Sequence, residues 1–293
     1  MQAKVKKNHL LRAFSACNTL HLCQNRQQMI GAIIGDIVGS RFEWDNNKSK
    51  KFTFLHESCF PTDDSFMTMA IGAAILRSKP DFTDLSQQAV QWMQEIGRAY
   101  PDGCYGGRFA GWLQEDTPQP YNSFGNGAAM RVSAVGYAGN SEAEVKKLSH
   151  AVTAVTHNHP EGLKGAEATA MAIYLARTGS KMEDIRRYIR RNYYDLNFTL
   201  DDIWEDYQFN ETCHETVPQA LQAFFESSDF EDAVRNAISI GGDSDTLAAI
   251  TGSVAAAYYG VPSDIRSKAL TYLDKFHLAI LQEFESRYPD SAK

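Results

Sequence analysis

The sequence lacks the features that mark membrane proteins and proteins stabilised by disulfides or zinc. No apolar run in its 293 residues approaches the ~20 residues of a membrane-spanning helix. Five cysteines are present without a CxxC pair or other zinc-type spacing, namely Cys17, Cys23, Cys59, Cys104 and Cys213. Such an odd, scattered set is typical of free thiols in a reducing compartment. The sequence therefore predicts a cytoplasmic protein without a membrane partner.

The sequence also lacks an excess of basic residues. Its formal net charge of −7 argues against a nucleic-acid-binding surface as the main function. The only obvious basic run is the four arginines within residues 186–191, a pattern typical of a solvated helix face. The apolar content of 43% is that of an ordinary soluble globular protein, and the length suffices for one large core or two modest domains.

Residues 1–28 lack acidic residues altogether, although they contain five Lys and Arg residues. The apolar stretch at residues 10–23 is too interrupted for a signal-peptide core and faintly resembles an organelle transit peptide. We interpret residues 1–28 as a basic extension that is disordered and dispensable, or a misassigned start of the chain. Residues 29–293 then form one domain, because no Pro/Gly/Ser-rich linker and no repeat of solenoid length divides them.

The alternation typical of β-strands is missing as well, and the short stretch at residues 51–55 is the nearest candidate. Apolar residues instead recur at helical spacing through most of the chain. We predict an all-α domain with a first helix from about residue 30, followed by helices over residues 64–78, 84–98, 126–138, 141–157, 162–178, 181–194, 215–227, 230–240, 244–259 and 262–288. Residues 195–212 are acidic and aromatic, and we expect a long loop with one helical turn there.

The first predicted helix contains three glycines along its apolar stripe. Glycine inside a helix lowers its stability, so Gly31, Gly35 and Gly39 indicate close packing against another backbone. Asp36 lies within the same stripe and is either a satisfied structural acid or part of a site. Glu43 follows just past the expected end of this helix.

Residues 241–246 (GGDSDT) are the first of four clusters suited to chemistry. The glycine pair ends one predicted helix, because glycine adopts the left-handed conformation favoured at helix C-termini. The following residues place two carboxylates and two hydroxyls at the start of the next helix, where one acid alone would serve as an N-cap. A bound divalent cation would remove the repulsion between the two carboxylates.

Residues 61–65 (PTDDS) repeat this chemistry immediately before another apolar helix. Either cluster alone is also compatible with an acidic first turn favoured by the helix dipole. If the two helix starts face each other, they supply four carboxylates together with hydroxyls, a set that suits Mg²⁺, Mn²⁺ or Ca²⁺ rather than zinc. Four carboxylates would over-neutralise one ion, so two ions are the more economical expectation.

Two further clusters contain no carboxylate pair. Residues 123–131 (SFGNGAAMR) form a Gly-rich turn before a helix, where exposed backbone N–H groups would bind a phosphate or pyrophosphate. The alternative there is an ordinary loop-to-helix junction. Residues 156–160 (THNHP) offer two histidines for metal or phosphate contacts, or a plain helix terminus before proline.

Together these clusters resemble the motifs of the ADP-ribosylglycohydrolase family, which includes the dinitrogenase reductase-activating glycohydrolase and eukaryotic ADP-ribosyl-acceptor hydrolases. The resemblance covers about residues 29–285, while residues 1–28 have no counterpart. It rests on four motifs in the family's order: GDIVGSRFE at residues 35–43, TDDS at 62–65, GNG at 125–127 with Met130 and Arg131, and GGDSDT at 241–246. It implies a single orthogonal multi-helix domain, all-α, with a binuclear magnesium or manganese centre.

The resemblance also implies roles for individual residues. The ligands of the two Mg²⁺ or Mn²⁺ ions would be Thr62, Asp63, Asp64, Asp243, Asp245 and Thr246, with Asp245 shared. The substrate-binding residues would be Phe124, Gly125, Asn126, Gly127, Met130 and His157, with the loop at 124–127 holding the diphosphate near the adenosine and His157 near the phosphate and ribose. Glu43 corresponds to an acid that is mobile over the metals in some relatives.

The implied reaction is hydrolysis of the bond between C1″ of the distal ribose and an acceptor, through an oxocarbenium-like transition state. Two metals would bind the ribose hydroxyls and lower the pKa of a bridging water. Our hypothesis assigns the catalytic roles to Asp64 as base, Asp63 beside it, and Glu43 on the acceptor side. The expected partner is an ADP-ribosylated protein or small-molecule conjugate, arginine-linked by family analogy, with nucleic acid only as an ADP-ribosylated substrate.

Two other functions compete with this interpretation. A non-catalytic ADP-ribose binder, or a structural protein like the family's lens crystallins, would share the fold, but the intact metal-ligand positions favour the enzyme. An aspartyl-phosphate phosphatase built on Asp243 and Asp245 would need these acids after a buried parallel strand. The preceding segment is helical in pattern, which disfavours that chemistry.

Overall fold

In the computed structural model, which describes residues 29–289, the chain is helical and forms no β-strand. Residues 51–55 are irregular, and the only bridge of β type in the described part joins Gly125 to Thr212. The proposed extension at residues 1–28 lies outside the described residues, as do Cys17 and Cys23. The all-α prediction is confirmed. Within residues 29–289, no helix combines the length and apolar character needed to cross a bilayer.

The α-helices are, in chain order, α1 (Ile30–Gly39), α2 (Asp63–Arg77), α3 (Leu85–Ala99), α4 (Gly107–Trp112), α5 (Gly127–Met130), α6 (Ser133–Ala138), α7 (Glu142–Thr153), α8 (Pro160–Arg177), α9 (Met182–Asn192), α10 (Leu200–Ile203), α11 (Cys213–Phe225), α12 (Phe230–Ser239), α13 (Ser244–Tyr259), α14 (Ser263–Ala269) and α15 (Lys275–Arg287). One turn of 3-10 helix, Leu270–Tyr272, follows α14.

The helix prediction was wrong in three places: two predicted helices are divided, and one helix was missed. The helix expected over residues 126–138 is divided into α5 and α6, and the one expected over 262–288 into α14, the 3-10 turn and α15. In the second case the carboxylate of Asp274 accepts from the backbone N–H of Phe276 and His277 and thereby begins a new helix. Helix α4 was not predicted, because six residues beginning with glycine are too short to show a helical period.

Helix α1 is buried along its whole length and packs mainly against α13. The glycines of α1 allow this approach, since a β-carbon on Gly35 would overlap the carbonyl of Ala248, and one on Gly39 would overlap the Cα of Asp245. The prediction of close backbone packing is therefore confirmed. The contact fixes Asp36 of α1 beside the first turn of α13.

Candidate active site

One cavity of about 400 Å³ is lined by most of the predicted site residues. Those at its wall are Glu43, Asp63, Asp64, Gly125, Asn126, Gly127, Met130, His157, Asp243, Asp245 and Thr246. Thr62 is buried behind the wall, between two acids. Phe124 lies outside the cavity lining, with its ring 43% exposed and 5.1 Å from the ring of His159. The two acidic segments, distant in sequence, meet at the bottom of this cavity.

The first turn of α2 is held by Asp36. This fully buried carboxylate accepts from the backbone N–H of Thr62 at 2.9 Å and its hydroxyl at 2.6 Å, and from the N–H of Ser65 at 3.0 Å and its hydroxyl. Asp36 is thus a satisfied structural acid. Its position also makes it a member of the acidic cluster, so both alternatives left open by the sequence apply.

Two groups of three carboxylates lie at the bottom of the cavity. Oxygens of Asp36, Asp64 and Asp245 fall within 4.8 Å of one another, and so do oxygens of Glu43, Asp243 and Asp245. Asp245 belongs to both groups. These five side chains come from α1, the loop after it, α2 and the start of α13.

The other predicted ligands surround these groups. The hydroxyl of Thr246 donates to Asp64 Oδ2 at 3.1 Å, and that of Thr62 lies 3.5 Å from Asp245 Oδ2. Asp63 lines the cavity but belongs to neither group of three. The glycine pair before the second acidic segment has φ angles of 75° at both Gly241 and Gly242, as predicted for the helix end.

Burial is the main cause of the raised pKa values in this acidic cluster. It raises the pKa of Asp36 and of Asp243 to about 6 and, with repulsion from Asp245 and Asp36, the pKa of Glu43 to about 7. Burial and repulsion from neighbouring acids raise the pKa values of Asp63, Asp64 and Asp245 well above the usual range.

The acidic cluster fits divalent cations. Oδ1 of Asp64 is buried and has no hydrogen-bond partner among the described residues. Several carboxylates facing one another with too few donors favour a hard cation with oxygen ligands. Asp245 belongs to both groups of three, and the potential ligand atoms are all carboxylate oxygens.

The Gly-rich loop at residues 124–127 supports the acidic cluster rather than presenting a row of free N–H groups. The side-chain amide of Asn126 donates to Asp243 Oδ2 at 2.7 Å. Its backbone N–H donates to the carbonyl of Glu211 at 2.7 Å, and the N–H of Gly125 to the hydroxyl of Ser123 at 3.2 Å. The expected set of exposed backbone donors is therefore only partly present: within residues 29–289, the N–H groups of Phe124 and Gly127 have no hydrogen-bond partner, whereas those of Gly125 and Asn126 do.

The two histidines of residues 156–160 have different roles. His159 is the N-cap of α8, where its Nδ1 accepts from the N–H of Glu161 at 3.1 Å. The helix-terminus alternative is confirmed for this residue. His157 lines the cavity with its ring 6.0 Å from that of Tyr121, which in turn lies under the guanidinium of Arg108 at 4.6 Å.

Arg131 lies behind His157 and is completely buried. Its Nη2 is 2.6 Å from the hydroxyl of Thr156 and 2.7 Å from Nδ1 of His157. Burial lowers the pKa of Arg131 to about 10, and burial together with the Arg131 charge lowers the pKa of His157 well below its usual range. Both effects favour the neutral form of the His157 imidazole.

The mouth of the cavity on the Glu43 side is aromatic. The rings of Trp44 and Phe209 stack with centroids 4.8 Å apart and planes inclined by 21°. Trp44 is 75% exposed, and its side chain forms a hydrogen bond with Glu43. Glu211 lines the cavity beside this pair. This arrangement could not be predicted from the sequence, because the two rings come from loops that lack a motif.

Lys48 joins the loops that contain Trp44 and Phe209 through hydrogen bonds. The ammonium of Lys48 donates to the carbonyls of Trp204 at 2.7 Å, Tyr207 at 2.7 Å and Ile240 at 2.6 Å. The loop with Trp44, the loop with Phe209 and the end of α12 are thereby fixed to one another. The mouth is preorganised by these bonds.

Comparison with known proteins gives consistent matches over most of the chain. The family model for ADP-ribosylglycohydrolase matches residues 25–289. ADP-ribosylhydrolase ARH3 of Homo sapiens is 24% identical, with 82% of this chain and 86% of the relative covered. The ADP-ribosyl-[dinitrogen reductase] glycohydrolase of Rhodospirillum rubrum is 27% identical, with 73% of each chain covered.

Two further matches concern a bacterial relative and a solved structure. ADP-ribosylarginine hydrolase Tri1 of Pseudomonas putida is 24% identical, with 80% of this chain and 70% of the relative covered. A solved chain titled ADP-ribosylglycohydrolase-related protein complex superimposes with a TM-score of 0.65 at 23% identity, covering 89% of this chain and 98% of that one. The structural match establishes the shared fold.

Proposed function

The chain belongs to the ADP-ribosylglycohydrolase family, and we propose that it is a metal-dependent hydrolase that releases ADP-ribose from an arginine-linked acceptor. Hydrolysis of an ADP-ribose linkage is the activity named for its relatives. The main support for the proposal is the two groups of three carboxylates that share Asp245. They lie in the same cavity as the Gly-rich loop and His157.

The two sides of the cavity suit two parts of ADP-ribose. The acidic side would hold the distal ribose, because its carboxylates accept from sugar hydroxyls and bind the cations that orient them. The side with Gly127 and His157 offers N–H donors and a nearby buried guanidinium, which suit the diphosphate. The scissile bond would then lie between the acidic cluster and the aromatic mouth.

Two divalent cations, Mg²⁺ or Mn²⁺, would be held by Asp64, Asp243 and Asp245, with Thr62 and Thr246 adjacent and Asp63 at the wall. When bound, they supply charge neutralisation and Lewis-acid activation of the attacking water and the sugar hydroxyls. Asp64 is our choice for the group that accepts the water proton, because burial and the neighbouring acids raise its pKa well above the usual range. Glu43 lies beside the mouth, where it would polarise the acceptor.

The acceptor preference follows from the mouth. A guanidinium is planar and cationic, so it stacks on aromatic rings and pairs with carboxylates. Trp44 and Phe209 supply the rings, while Glu43 and Glu211 supply the carboxylates. Neutral acceptors such as a serine hydroxyl would gain less from these four side chains.

The test is release of free ADP-ribose from arginine-, serine- and DNA-linked substrates, each with Mg²⁺, with Mn²⁺ and with chelator. We expect metal-dependent release that is fastest from the arginine linkage. Release from another linkage would overturn the acceptor assignment. Binding of ADP-ribose without release from any substrate would instead indicate the non-catalytic binder.

A variant pair tests the mouth separately. Phe209→Ala should raise KM for the arginine-linked substrate about 5-fold, since a cation–aromatic contact contributes about 1 kcal/mol, while binding of free ADP-ribose stays unchanged. Trp204→Ala is the matched control, because Trp204 is similarly exposed at 42% but does not line the cavity. Equal effects of the two variants would exclude a specific acceptor contact.

A further inference from the structure

Most polar donors that face the Gly-rich loop are already in use, so the donors left for a ligand oxyanion are few. Within residues 29–289, the amide of Asn126 is bonded to Asp243 and the backbone N–H of Gly125 to Ser123. Nε2 of His157 has no partner there and faces the loop. A β-carbon built on Gly125 or Gly127 would lie 3.6 Å or 3.5 Å from this nitrogen.

The contact between Arg131 and His157 fixes the position of the imidazole proton. A guanidinium nitrogen is a donor and never an acceptor. Nη2 of Arg131 and the hydroxyl of Thr156 both lie 2.7 Å from Nδ1 of His157. The Thr156 oxygen already accepts from Nη2, so its own proton and the guanidinium both point to Nδ1 as an acceptor, and we assign it no proton. A neutral ring therefore has its proton on Nε2, the nitrogen that faces the cavity.

Other charged groups do not compete for His157. The ring is 6.0 Å from the ring of Tyr121 and lies within hydrogen-bond distance of the hydroxyl of Thr156 at 2.7 Å. Arg131 itself forms no ion pair with a carboxylate of the described residues. It also contacts Met93 Sδ at 3.4 Å and lies 5.4 Å from the ring centre of Phe109, and Asp63 acts on its charge only from a longer distance. Its charge thus acts on the imidazole without a protein counter-ion in contact.

We propose that Arg131 is a positioning residue, which holds His157 as a neutral imidazole whose Nε2–H donates to an oxyanion bound against Gly125 and Gly127. The proposal rests on the proposed function in taking the diphosphate of ADP-ribose as that oxyanion. Because the imidazole is a fixed donor, His157 binds the ligand and does not exchange a proton with it. Arg131 polarises the ring and strengthens the donor, since a charged neighbour makes a hydrogen bond stronger.

The first test needs no variant at Arg131. Imidazole nitrogen-15 shifts of the full chain, with the His157 signal assigned by its loss in His157→Gln, should show the proton on Nε2 and no titration between about pH 5.5 and 8. Adding ADP-ribose should move the Nε2–H proton downfield. A proton on Nδ1, or titration near the ordinary value of about 6.5, would overturn the proposal. This readout is independent of whether the protein hydrolyses any substrate.

The second test separates positioning from packing. In Arg131→Met the ring should become a mixture of tautomers that titrates, and ADP-ribose should bind about 10-fold more weakly by calorimetry. Arg131→Lys, which retains a cationic donor, should recover part of this loss. Met93→Leu is the matched control, because it changes the packing around Arg131 and leaves its contact with His157 intact.

A double-variant cycle completes the argument. If Arg131 acts through His157, Arg131→Met combined with His157→Ala should bind ADP-ribose no more weakly than His157→Ala alone. Additive losses would show that Arg131 contributes independently and would contradict the proposal. If ADP-ribose does not bind the wild-type chain but the Nε2–H tautomer is found, the proposed function fails while the positioning by Arg131 stands.

Discussion

The two sides of the cavity bury charge in opposite ways. On the acidic side, five carboxylates face one another, most of the hydrogen-bond donors go to Asp36, and burial raises the pKa of each of the five. On the other side, the single buried cation Arg131 is surrounded by uncharged acceptors from Thr156 and His157. The carboxylates of the acidic side repel one another, whereas the Arg131 side has its charge bonded to protein acceptors. Under the proposed function, the acidic side is the half that would need metal, and the Arg131 side is built in advance.

The largest effect is expected where both carboxylate groups meet. Asp245→Asn should reduce hydrolysis by about 10³-fold and abolish cooperative metal binding, because a shared ligand is lost and each 1.36 kcal/mol of transition-state stabilisation is tenfold in rate. The same variant should be more stable than the wild type in chelator, since one buried repelling charge is removed. Turnover, metal titration and thermal unfolding in chelator measure these effects.

Asp264→Asn in α14 is the control for that variant, as it removes an exposed acid far from the cavity lining. It should change neither turnover nor metal affinity. If Asp245→Asn kept normal turnover, or were less stable than the wild type in chelator, the contrast between the two sides would be wrong.

The next effect is the pH dependence of the metal-free protein. Asp36, Asp243 and Glu43 have folded-state pKa values of about 6, 6 and 7, above their unfolded values of about 4. Raised pKa values mean that the folded state binds more protons, so the stabilising contribution is fully present below about pH 4 and is lost as the pH rises through 6 to 7. The melting temperature in chelator should therefore fall by about 5 °C between pH 5 and 7.5.

Added Mn²⁺ or Mg²⁺ should remove most of this slope, because cations neutralise the ionised cluster. Asp245→Asn in chelator should also show a shallower slope than the wild type. A wild-type melting temperature that rises with pH over this range, with chelator present, would contradict the assigned direction of the shifts.

The smallest effect concerns the bond between the Gly-rich loop and the acidic cluster. Asn126→Ala removes the donor to Asp243 Oδ2 and should weaken metal binding about 10-fold, the lower end of the range for groups that orient a metal ligand. Thr216→Val is the control, because Thr216 contacts the same amide at 3.2 Å without touching Asp243. Equal metal affinity in Asn126→Ala and the wild type would show that the Asn126–Asp243 hydrogen bond does not support metal binding.

The acidic side was the more predictable from sequence. Acids and hydroxyls clustered at two helix starts, and glycines spaced along α1, are local patterns with a direct physical meaning. They correctly indicated the close packing of α1 and the meeting of residues 62–65 with residues 243–246. Asp36 remained ambiguous because an acid in an apolar stripe fits both a structural and a site role.

The other side and the mouth could not be predicted in the same way. Arg131 was visible only as the end of a motif, since its contact with His157 joins residues from separate segments. Trp44 and Phe209 come from loops whose paths are set by tertiary contacts. The backbone N–H groups of the Gly-rich loop were expected to be free. Those of Asn126 and Gly125 instead donate to Glu211 and Ser123, and these contacts depend on how the neighbouring loops fold.

The three bonds of Lys48 have a consequence for the order of folding. They join residues 156, 159 and 192 positions apart in the chain, so they form only after most of the polypeptide is in place. Closing such long loops is entropically costly and slow relative to local helix formation. The packing of α1 against α13, which brings Gly35 to Ala248, closes an even longer loop, so the helical core and the ligand-binding mouth both wait for the last third of the chain.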